Sequence, residues 1–456
     1  MDQFDGQTLE VKMLDQLSTV VIENSLINAD LYNKYAVKRG LRDSDGKGVL
    51  VGLTEIGDVH SYILDEGEMV PVPGRLIYRG YDINDLVSGF MRDHRFGFEE
   101  TAYLLLFGDL PDHNSLADFQ QLLAHYQRLP EDFARDVILK APSTNIMNAI
   151  SRSVLALYSF DDNPDDTSVR NVLKQCIKLI ACFPSLAVYG YQALSHYHGN
   201  QSLYIHSPRP ELSTAENILA MLRPDNQYTE LEAKLLDLAL VLHAEHGGGN
   251  NSTFVTHVVT STGADTYSVI AASLGSLKGP RHGGANLKVI QMFEDIKANV
   301  QDWNDDEEIE RYLALILNKD AFDRSGLIYG IGHAVYTISD PRAVILKDYA
   351  GHLAKEKGLE AEFKLYNNVE RIAPQVMANS NKIIKGVSAN VDFYSGLVYG
   401  MLNIPLEMFT PIFAIARIAG WSAHRIEEIV NAGKIIRPAY KNVAPRRNYI
   451  ALNNRS

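Results

Sequence analysis

Apolar residues recur every three or four positions through most of the chain, the spacing typical of amphipathic helices. The clearest case runs from Thr229 to His246, where four leucines keep this spacing, Thr229 and Glu232 match a capping box, and His246 continues the apolar face. Short β-branched runs between glycines predict a few small strands only over 48–73. Further helices are predicted over 98–107, 264–277, 287–300, 307–317, 342–357 and 362–377. A final pair surrounds Thr410, which can cap a helix that begins at Pro411. The fold class is therefore mainly α, with glycine-rich joints near Gly247, Gly279, Gly330 and Gly396.

Length and net charge limit the number of domains and the kinds of partner that we expect. A chain of 456 residues predicts two or three lobes, and its net charge of −13 opposes binding to nucleic acid or to an anionic membrane surface. Cys176 and Cys182 lie in an apolar, helix-like stretch and are expected to pack in the core. The N-terminal residues lack the features of a secretory signal or a transit peptide, so we expect a cytoplasmic location.

Three glycine-containing segments concentrate unusual polar residues. The first, GPRHGGAN, places His282 between a helix-ending proline and two glycines. The second, GIGHAVYTISDPRA, presents His333 after a glycine turn and Arg342 after an Asp-Pro turn. The third, NVDFYSG, sets Asp392 between Val391 and a phenylalanine, so its carboxyl either caps a helix or has the raised pKa of a general base.

Each of these features also has an ordinary interpretation. His282 and His333 could be hydrogen-bonded loop histidines, and Asp392 could be an N-cap. The pair His243 and His246 has metal-ligand spacing but no third ligand nearby, so a core or substrate-facing role is preferred and no metal site is predicted. Complete phosphate-loop, dinucleotide-binding and HExxH motifs are absent. Two histidines and a carboxylate, with several arginines, suit carbanion chemistry beside a dicarboxylate.

The segments, in this order, resemble the signatures of the citrate synthase family. The resemblance extends over roughly residues 40 to 440 and includes the three segments above with these further stretches: RLIYRGYDINDL, EETAYLLLFGDLP, AENILAML, LHAEHGGGNNST, MFTPIFAIARIAGW and IIRPAY. It implies an α-helical homodimer in which a large and a small domain close over the substrates. The corresponding division is an N-terminal helical extension at 1–40, a large domain at 41–281 and 399–456, and a small domain at 282–398.

The resemblance also implies a reaction and assigns residues to it. Acetyl-CoA condenses with oxaloacetate, and hydrolysis of the product thioester gives citrate and CoA, with no permanently bound cofactor. His282 would hydrogen-bond the thioester oxygen, Asp392 would remove a methyl proton, and His333 would polarise the ketone of oxaloacetate. The positions that match the family's dicarboxylate ligands are His246, Arg342, Arg417 and Arg437, of which Arg437 would serve the neighbouring subunit.

The expected CoA contacts follow from the same resemblance. Lys385 matches a lysine near the CoA phosphates, and the loop that would meet the adenine comprises Leu327, Ile328, Tyr329, Gly330 and Ile331. Three positions depart from the family: Glu245 stands for an aspartate, Gly247 for an acid, and Thr337 for a basic residue that touches CoA. The helical N-terminus differs from the β-rich extension of NADH-inhibited relatives, so we expect no such inhibition.

Two alternatives stay open at this point. A 2-methylcitrate synthase would use propionyl-CoA, and one methylene changes binding by only about 1 to 3 kcal/mol in an apolar pocket. A catalytically silent helical scaffold is the alternative from another class, and the presence of His282, His333 and Asp392 argues against it.

Overall fold

The computed structural model describes residues 2–43, 47–65, 68–333, 335–380, 387–431 and 433–454. The chain divides into two compact units, Met1–Leu53 and Thr54–Ser456. The first unit contains helices α1 (Asp2–Ser25) and α2 (Asp30–Lys34) and a 3₁₀ turn at Arg39–Leu41. An isolated antiparallel bridge joins Arg42 to Gly48.

The second unit begins with a small antiparallel sheet in the order β1-β2-β3. Its strands are β1 (Gly57–Asp65), β2 (Glu68–Tyr78) and β3 (Tyr81–Asp82), so the predicted strand region is confirmed but extends further along the chain. Two hydrogen bonds tie the sheet to the segment after His333, because Ser61 Oγ donates to Val335 O at 2.9 Å and the N–H of Gly74 donates to Ser339 O at 3.1 Å.

Helices form most of the rest of the second unit. In chain order they are α3 (Ile83–Arg92), α4 (Phe98–Phe107), α5 (His113–Tyr126), α6 (Ile146–Leu157), α7 (Val169–Tyr197), α8 (Thr214–Leu222), α9 (Glu230–His243), α10 (Asn251–Thr260), α11 (Thr266–Lys278), α12 (Ala285–Asn299), α13 (Asp306–Leu317), α14 (Pro341–Lys357), α15 (Glu360–Asn379), α16 (Val391–Met401) and α17 (Phe409–Val430). The prediction of a mainly α fold is confirmed.

The predicted helices match the observed ones closely, with two corrections. Thr229 and Glu232 form the predicted capping box, but α9 ends at His243, so His246 lies in the glycine-rich connection to α10 rather than on the helix. A positive φ of 80° at Gly247 fits this change of direction. Thr410 is not a cap either, because α17 begins one residue earlier and the Thr410 hydroxyl donates to Gly283 O at 2.8 Å.

Helix α9 lies at the centre of the second unit and packs against α4, α8, α14, α16 and α17. Its residues from Leu235 to His243 are buried in an unbroken run. A helix that is apolar on all sides is stable only when other elements surround it. Its C-terminus therefore delivers the following loop, with His246, into the interior.

Helix α7 is long and apolar enough to cross a membrane, the one such helix in the described part of the chain, yet 78% of its most apolar window is buried inside the protein. Cys176 and Cys182 lie on it as buried free thiols, as predicted. Burial raises the pKa of the Cys182 thiol to about 12, so this thiol is unreactive.

Candidate active site

Three connections and three helices bring the predicted polar residues together. His246 follows α9, His282 lies between α11 and α12, and His333 lies before α14. Arg342 is in the first turn of α14, Asp392 is in the first turn of α16, and Arg417 is inside α17. Backbone hydrogen bonds hold two of these segments together, since the N–H of Asn390 donates to Gly330 O and that of Gly332 donates to Ser388 O, both at 2.8 Å.

His333 is held in one tautomer. Its Nδ1 accepts hydrogen bonds from the backbone N–H groups of Val335, at 3.1 Å, and Tyr336, at 3.2 Å. Burial, followed by the charge of Arg342, lowers the pKa of His333 to about 4. The imidazole is therefore neutral near pH 7 with its proton on Nε2, where it can donate to a ligand.

His246 packs beside His333. The two ring centroids are 5.2 Å apart in an edge-to-face arrangement, and the Tyr336 ring lies 5.6 Å from that of His246. His246 Nε2 is buried with no hydrogen-bond partner among the described residues. Burial and the nearby Arg342 hold the pKa of His246 well below its ordinary value. A buried polar atom without a partner is costly, which points to a ligand as its partner.

Two buried arginines differ in how they are paired. Arg342 makes a bidentate ion pair with Asp340, with Nε–Oδ1 and Nη2–Oδ2 distances of 3.0 and 2.7 Å. Arg417 donates through Nε to His243 O at 2.6 Å, while its Nη1 and Nη2 are buried with no partner in the described structure. Burial lowers the pKa of Arg417 to about 10, so it stays charged at neutral pH. Such a guanidinium strongly favours an anion.

His282 belongs to a small hydrogen-bond cluster at the start of α10. Its Nε2 lies 3.2 Å from Ser252 Oγ, and the same oxygen accepts from Trp421 Nε1 at 3.1 Å. Ser252 Oγ also lies 3.0 Å from Asn250 Oδ1. Burial and the charge of Arg417 lower the pKa of His282 to about 4. The ring is therefore neutral, and the direction of the single Ser252 proton selects its tautomer.

Asp392 is not the N-cap of α16. Asn390 takes that place, because its side-chain oxygen accepts from the N–H of Asp392 at 3.0 Å. The Asp392 carboxyl is thus left free, and no hydrogen bond to it from the described residues is present. Burial, together with Asp340, raises its pKa to about 6, although Arg342 and Arg417 oppose the rise. The alternative that Asp392 is a helix cap is therefore wrong, and its free carboxyl can act as a general base.

The expected CoA loop lies between α13 and His333. Leu327 is exposed, Ile328 and Ile331 are buried, and Tyr329 donates through its hydroxyl to Asp323 at 2.8 Å. At Gly330 (φ 80°) a Cβ atom would lie 2.8 Å from a methyl group of Val289, which explains the glycine.

Three further expectations concern Arg437, Lys385 and Thr337. Arg437 lies exposed in the coil after α17 and makes no hydrogen bond or ion pair with the described residues. Lys385 is outside the described residues. Thr337, the expected departure from a basic CoA contact, has a buried hydroxyl with no partner among the described residues.

The structure adds residues that the sequence did not single out. Asp340 accepts from Arg342 and also, at 3.1 Å, from the N–H of Val391, so one carboxylate fixes the starts of both α14 and α16. Tyr336 stacks on His333 with ring centroids 4.8 Å apart. The Asp-Pro pair before Arg342, a frequent N-cap and N1 combination, was the signal that could have identified Asp340.

Comparisons with known proteins identify the family of this chain. The family model described as citrate synthase, C-terminal domain, matches residues 43–439. The chain is 36% identical to the citrate synthase of Synechocystis sp. over 80% of this chain and 84% of that protein. It is 32% identical to the 2-methylcitrate synthase of Shewanella oneidensis over 82% of this chain and 90% of that protein.

A solved structure extends the agreement to the fold. The citrate synthase of Thermoplasma acidophilum, in a ternary complex with carboxymethyl coenzyme A and oxaloacetate, superposes with a TM-score of 0.74 and 25% identity, over 92% of this chain and 99% of that one. The fold of this neighbour, the family model and the curated relatives all indicate the same family. The chain belongs to the citrate synthase family and is an enzyme of the citrate synthase type.

Proposed function

We propose that this enzyme condenses acetyl-CoA with oxaloacetate and hydrolyses the resulting thioester to citrate and CoA. The observation that carries the proposal is the pairing of an anion site with neutral donors. Arg417 presents two buried, unpartnered amino groups, and His246 and His333 stand beside them as uncharged imidazoles. A dicarboxylate with a ketone needs these groups, because the arginines neutralise its carboxylates while a neutral imidazole donates to the ketone oxygen.

Oxaloacetate binding is assigned to His246, Arg342 and Arg417, with Arg437 supplied by a partner subunit. Arg342 is already held by Asp340 in a fixed orientation, so little side-chain entropy is lost when it meets a carboxylate. His333 Nε2–H then polarises the ketone, since its Nδ1 is occupied by two backbone donors.

Acetyl-CoA is activated between Asp392 and His282. The carboxylate takes a proton from the methyl group, and the enol oxygen is stabilised by a hydrogen bond from His282. For His282 to donate through Nδ1, its Nε2 must accept, which happens when Ser252 directs its single proton to it while Trp421 donates to Ser252 Oγ. The nucleophilic carbon attacks the ketone carbon, and water then cleaves the thioester to release CoA.

The remaining family assignments belong to the same proposal. The segment Leu327 to Ile331 and Lys385 contact CoA, and the protein works as a cytoplasmic homodimer whose small domain (282–398) closes on the large one (41–281 and 399–456), with an N-terminal extension at 1–40. Closure has a physical reason, because Arg417 Nη1 and Nη2 are shielded from solvent here and a substrate must pass the surrounding walls to reach them.

The substrate is tested by thiol release with oxaloacetate and either acetyl-CoA or propionyl-CoA at equal concentration. We expect faster release with acetyl-CoA, and none when oxaloacetate is omitted. Faster release with propionyl-CoA would assign the 2-methylcitrate reaction instead. The similarity to the Shewanella 2-methylcitrate synthase is the reason for testing this alternative. No release with either thioester would refute the proposal.

A further inference from the structure

Four titratable groups, two of them buried and two partly buried, form a continuous hydrogen-bond chain behind His246. Glu245 Oε1 lies 3.1 Å from His424 Nε2, and His424 Nδ1 lies 3.1 Å from His257 Nε2. His257 Nδ1 in turn lies 2.8 Å from Glu428 Oε2. Glu245 and His424 are fully buried, and the side chains of His257 and Glu428 are 13% and 17% exposed. The chain thus runs from the loop after α9 towards the surface through α17 and α10.

The number of hydrogen bonds fixes the number of protons. Three hydrogen bonds in a row need three protons, whereas two neutral imidazoles supply only two. If both rings were neutral and donated outward to the carboxylates, the two inner nitrogens of His424 and His257 would face each other at 3.1 Å with no proton between them. The intact hydrogen-bond chain of these four side chains therefore holds one additional proton, and the four side chains together carry a net charge of −1.

Charged groups on the surrounding elements act on the protons of this hydrogen-bond chain in both directions. Glu427 on α17 places Oε2 3.8 Å from His424 Nδ1, and Arg417, also on α17, faces Glu245. Burial raises the pKa of Glu245, but His424 and Arg417 outweigh it and hold that pKa below its ordinary value. Tyr78 on β2 contributes an uncharged contact, because its hydroxyl donates to Glu245 O at 3.1 Å. Burial and His424 lower the pKa of His257, and Glu428 and Glu427 oppose this fall, so the third proton depends on the neighbouring carboxylates.

The inner end of this chain fixes the backbone on both sides of His246. The Glu245 carboxylate folds past His246 to accept the N–H of Gly247. Space for the Glu245 side chain depends on two glycines, since a Cβ at Gly57 would lie 2.8 Å from Glu245 Cγ and one at Gly420 would collide with the same carboxylate. Because residues 245 and 247 are both anchored, the imidazole of His246 is held against His333.

We propose that Glu245 and His424 are positioning residues for the oxaloacetate site, which hold His246 in its binding orientation through a buried carboxylate–imidazole chain that is intact only while it keeps its third proton. The proposal rests on the proposed function, because it concerns the affinity for that substrate. His257 and Glu428 complete the chain and supply its route for proton exchange with solvent.

The test measures the dissociation constant of oxaloacetate by calorimetry, together with KM and kcat, in matched variants of the full chain. His424→Phe keeps a ring but removes both hydrogen bonds, so we expect the oxaloacetate dissociation constant and KM to rise roughly tenfold, with the KM for acetyl-CoA unchanged and kcat reduced far less. His424→Gln keeps a donor towards Glu245 and should recover most of the loss. Glu99→Gln is the control, since Glu99 is also buried but accepts from the N–H of Thr214 instead.

The pH dependence provides a second measurement if His424→Phe does not fold. The third proton is bound at low pH and lost as pH rises, so oxaloacetate should bind more weakly above that titration. Glu245→Gln removes an anion that holds the proton, and the weakening should therefore begin at a lower pH than in the wild type. Unchanged oxaloacetate affinity in both His424 variants, or an unshifted pH profile in Glu245→Gln, overturns the inference. A wild type that neither binds oxaloacetate nor releases thiol overturns the proposed function instead.

Discussion

Asn390 and Asp392 stand two residues apart at the start of α16, and the structure divides two roles between them. The Asn390 side chain caps the helix, and the half-buried Asp392 carboxyl is left without a partner among the described residues, where desolvation raises its pKa to about 6. The ionised form of Asp392 is therefore costly to the fold, and the same property makes it a stronger base than an ordinary aspartate. Activity and stability should respond to its removal in opposite directions.

Asp392→Asn should lower kcat by about 10²- to 10⁴-fold, the usual loss for a positioned general base, while oxaloacetate still binds. The variant should also be more stable near neutral pH. The folded pKa of about 6 lies above the ordinary value of 3.8, so the wild type loses stability as pH rises between them, by about 2 to 3 kcal/mol in total. Denaturant unfolding at pH 7.5 should show this gain, and at pH 4 it should be nearly absent.

The pH profile of the wild type checks the same assignment. Because the base must be ionised, kcat/KM should fall as pH decreases through about 6. Near wild-type turnover in Asp392→Asn, or a stability gain that persists unchanged at pH 4, would contradict the role proposed for this carboxyl.

At the scale of elements, α17 joins the anion site to the hydrogen-bond chain that contains Glu245 and His424. Arg417 faces the site, His424 lies two turns further along, and Gly420 lies between them against the loop that bears His246. A Cβ atom at Gly420 would stand 2.5 Å from the backbone oxygen of Ala244, a contact that side-chain motion cannot relieve. The close approach of helix and loop therefore requires glycine at this position.

Gly420→Ala should lower the free energy of unfolding by about 1 to 3 kcal/mol, the usual range for overpacking, and should also weaken oxaloacetate binding. Gly400→Ala on α16 is the matched control. No atom lies within 4 Å of the Cβ that it would add, and alanine in a helix is favoured over glycine by about 0.5 to 1 kcal/mol. Equal stability of the two variants in urea unfolding would show that α17 tolerates displacement from the loop.

Local sequence signals predicted the helices because caps and apolar spacing act within a few residues. The capping box at Thr229 and the limits of α4 are examples. Thr410 and His246 were placed wrongly because contacts with distant residues decide there. Thr410 donates to Gly283, and the Glu245 side chain, which His424 contacts, takes the N–H of Gly247 after α9 has ended. Tertiary contacts commonly override local preference in this way.

The three segments that carry the candidate site residues could be predicted from the sequence, but the contacts between individual side chains could not. His282, His333 and Asp392 stand out by their glycine and apolar neighbours, and the family resemblance ordered them. Nothing local links Glu245 to His424, which are 179 positions apart, because only the packing of α17 against the loop after α9 brings them together. Likewise, Asp340 is an ordinary helix cap in sequence, and its second contact with α16 emerges only in the fold.

At the scale of the whole molecule, the anion site is one arginine short of the predicted set. Arg342 and Arg417 lie in it, whereas Arg437 is exposed on the coil after α17 without a partner among the described residues. A substrate with two or three carboxylates benefits from each additional guanidinium, and a two-fold dimer would place Arg437 of one subunit at the site of the other. The proposed homodimer is therefore testable through the site itself.

Mixing two inactive variants should restore activity if the site is shared. Asp392→Asn protomers keep Arg437, and Arg437→Ala protomers keep the base, so a hybrid dimer has one site with both defects and one intact site. Random exchange makes about half of the dimers hybrids, which gives about a quarter of wild-type activity. Thiol release before and after subunit exchange measures this, with Arg437→Ala and Asp392→Asn exchanged separately against themselves as controls. If native mass spectrometry shows hybrids but activity stays at the parental level, Arg437 serves its own subunit, and the proposal of a site completed across a dimer interface fails.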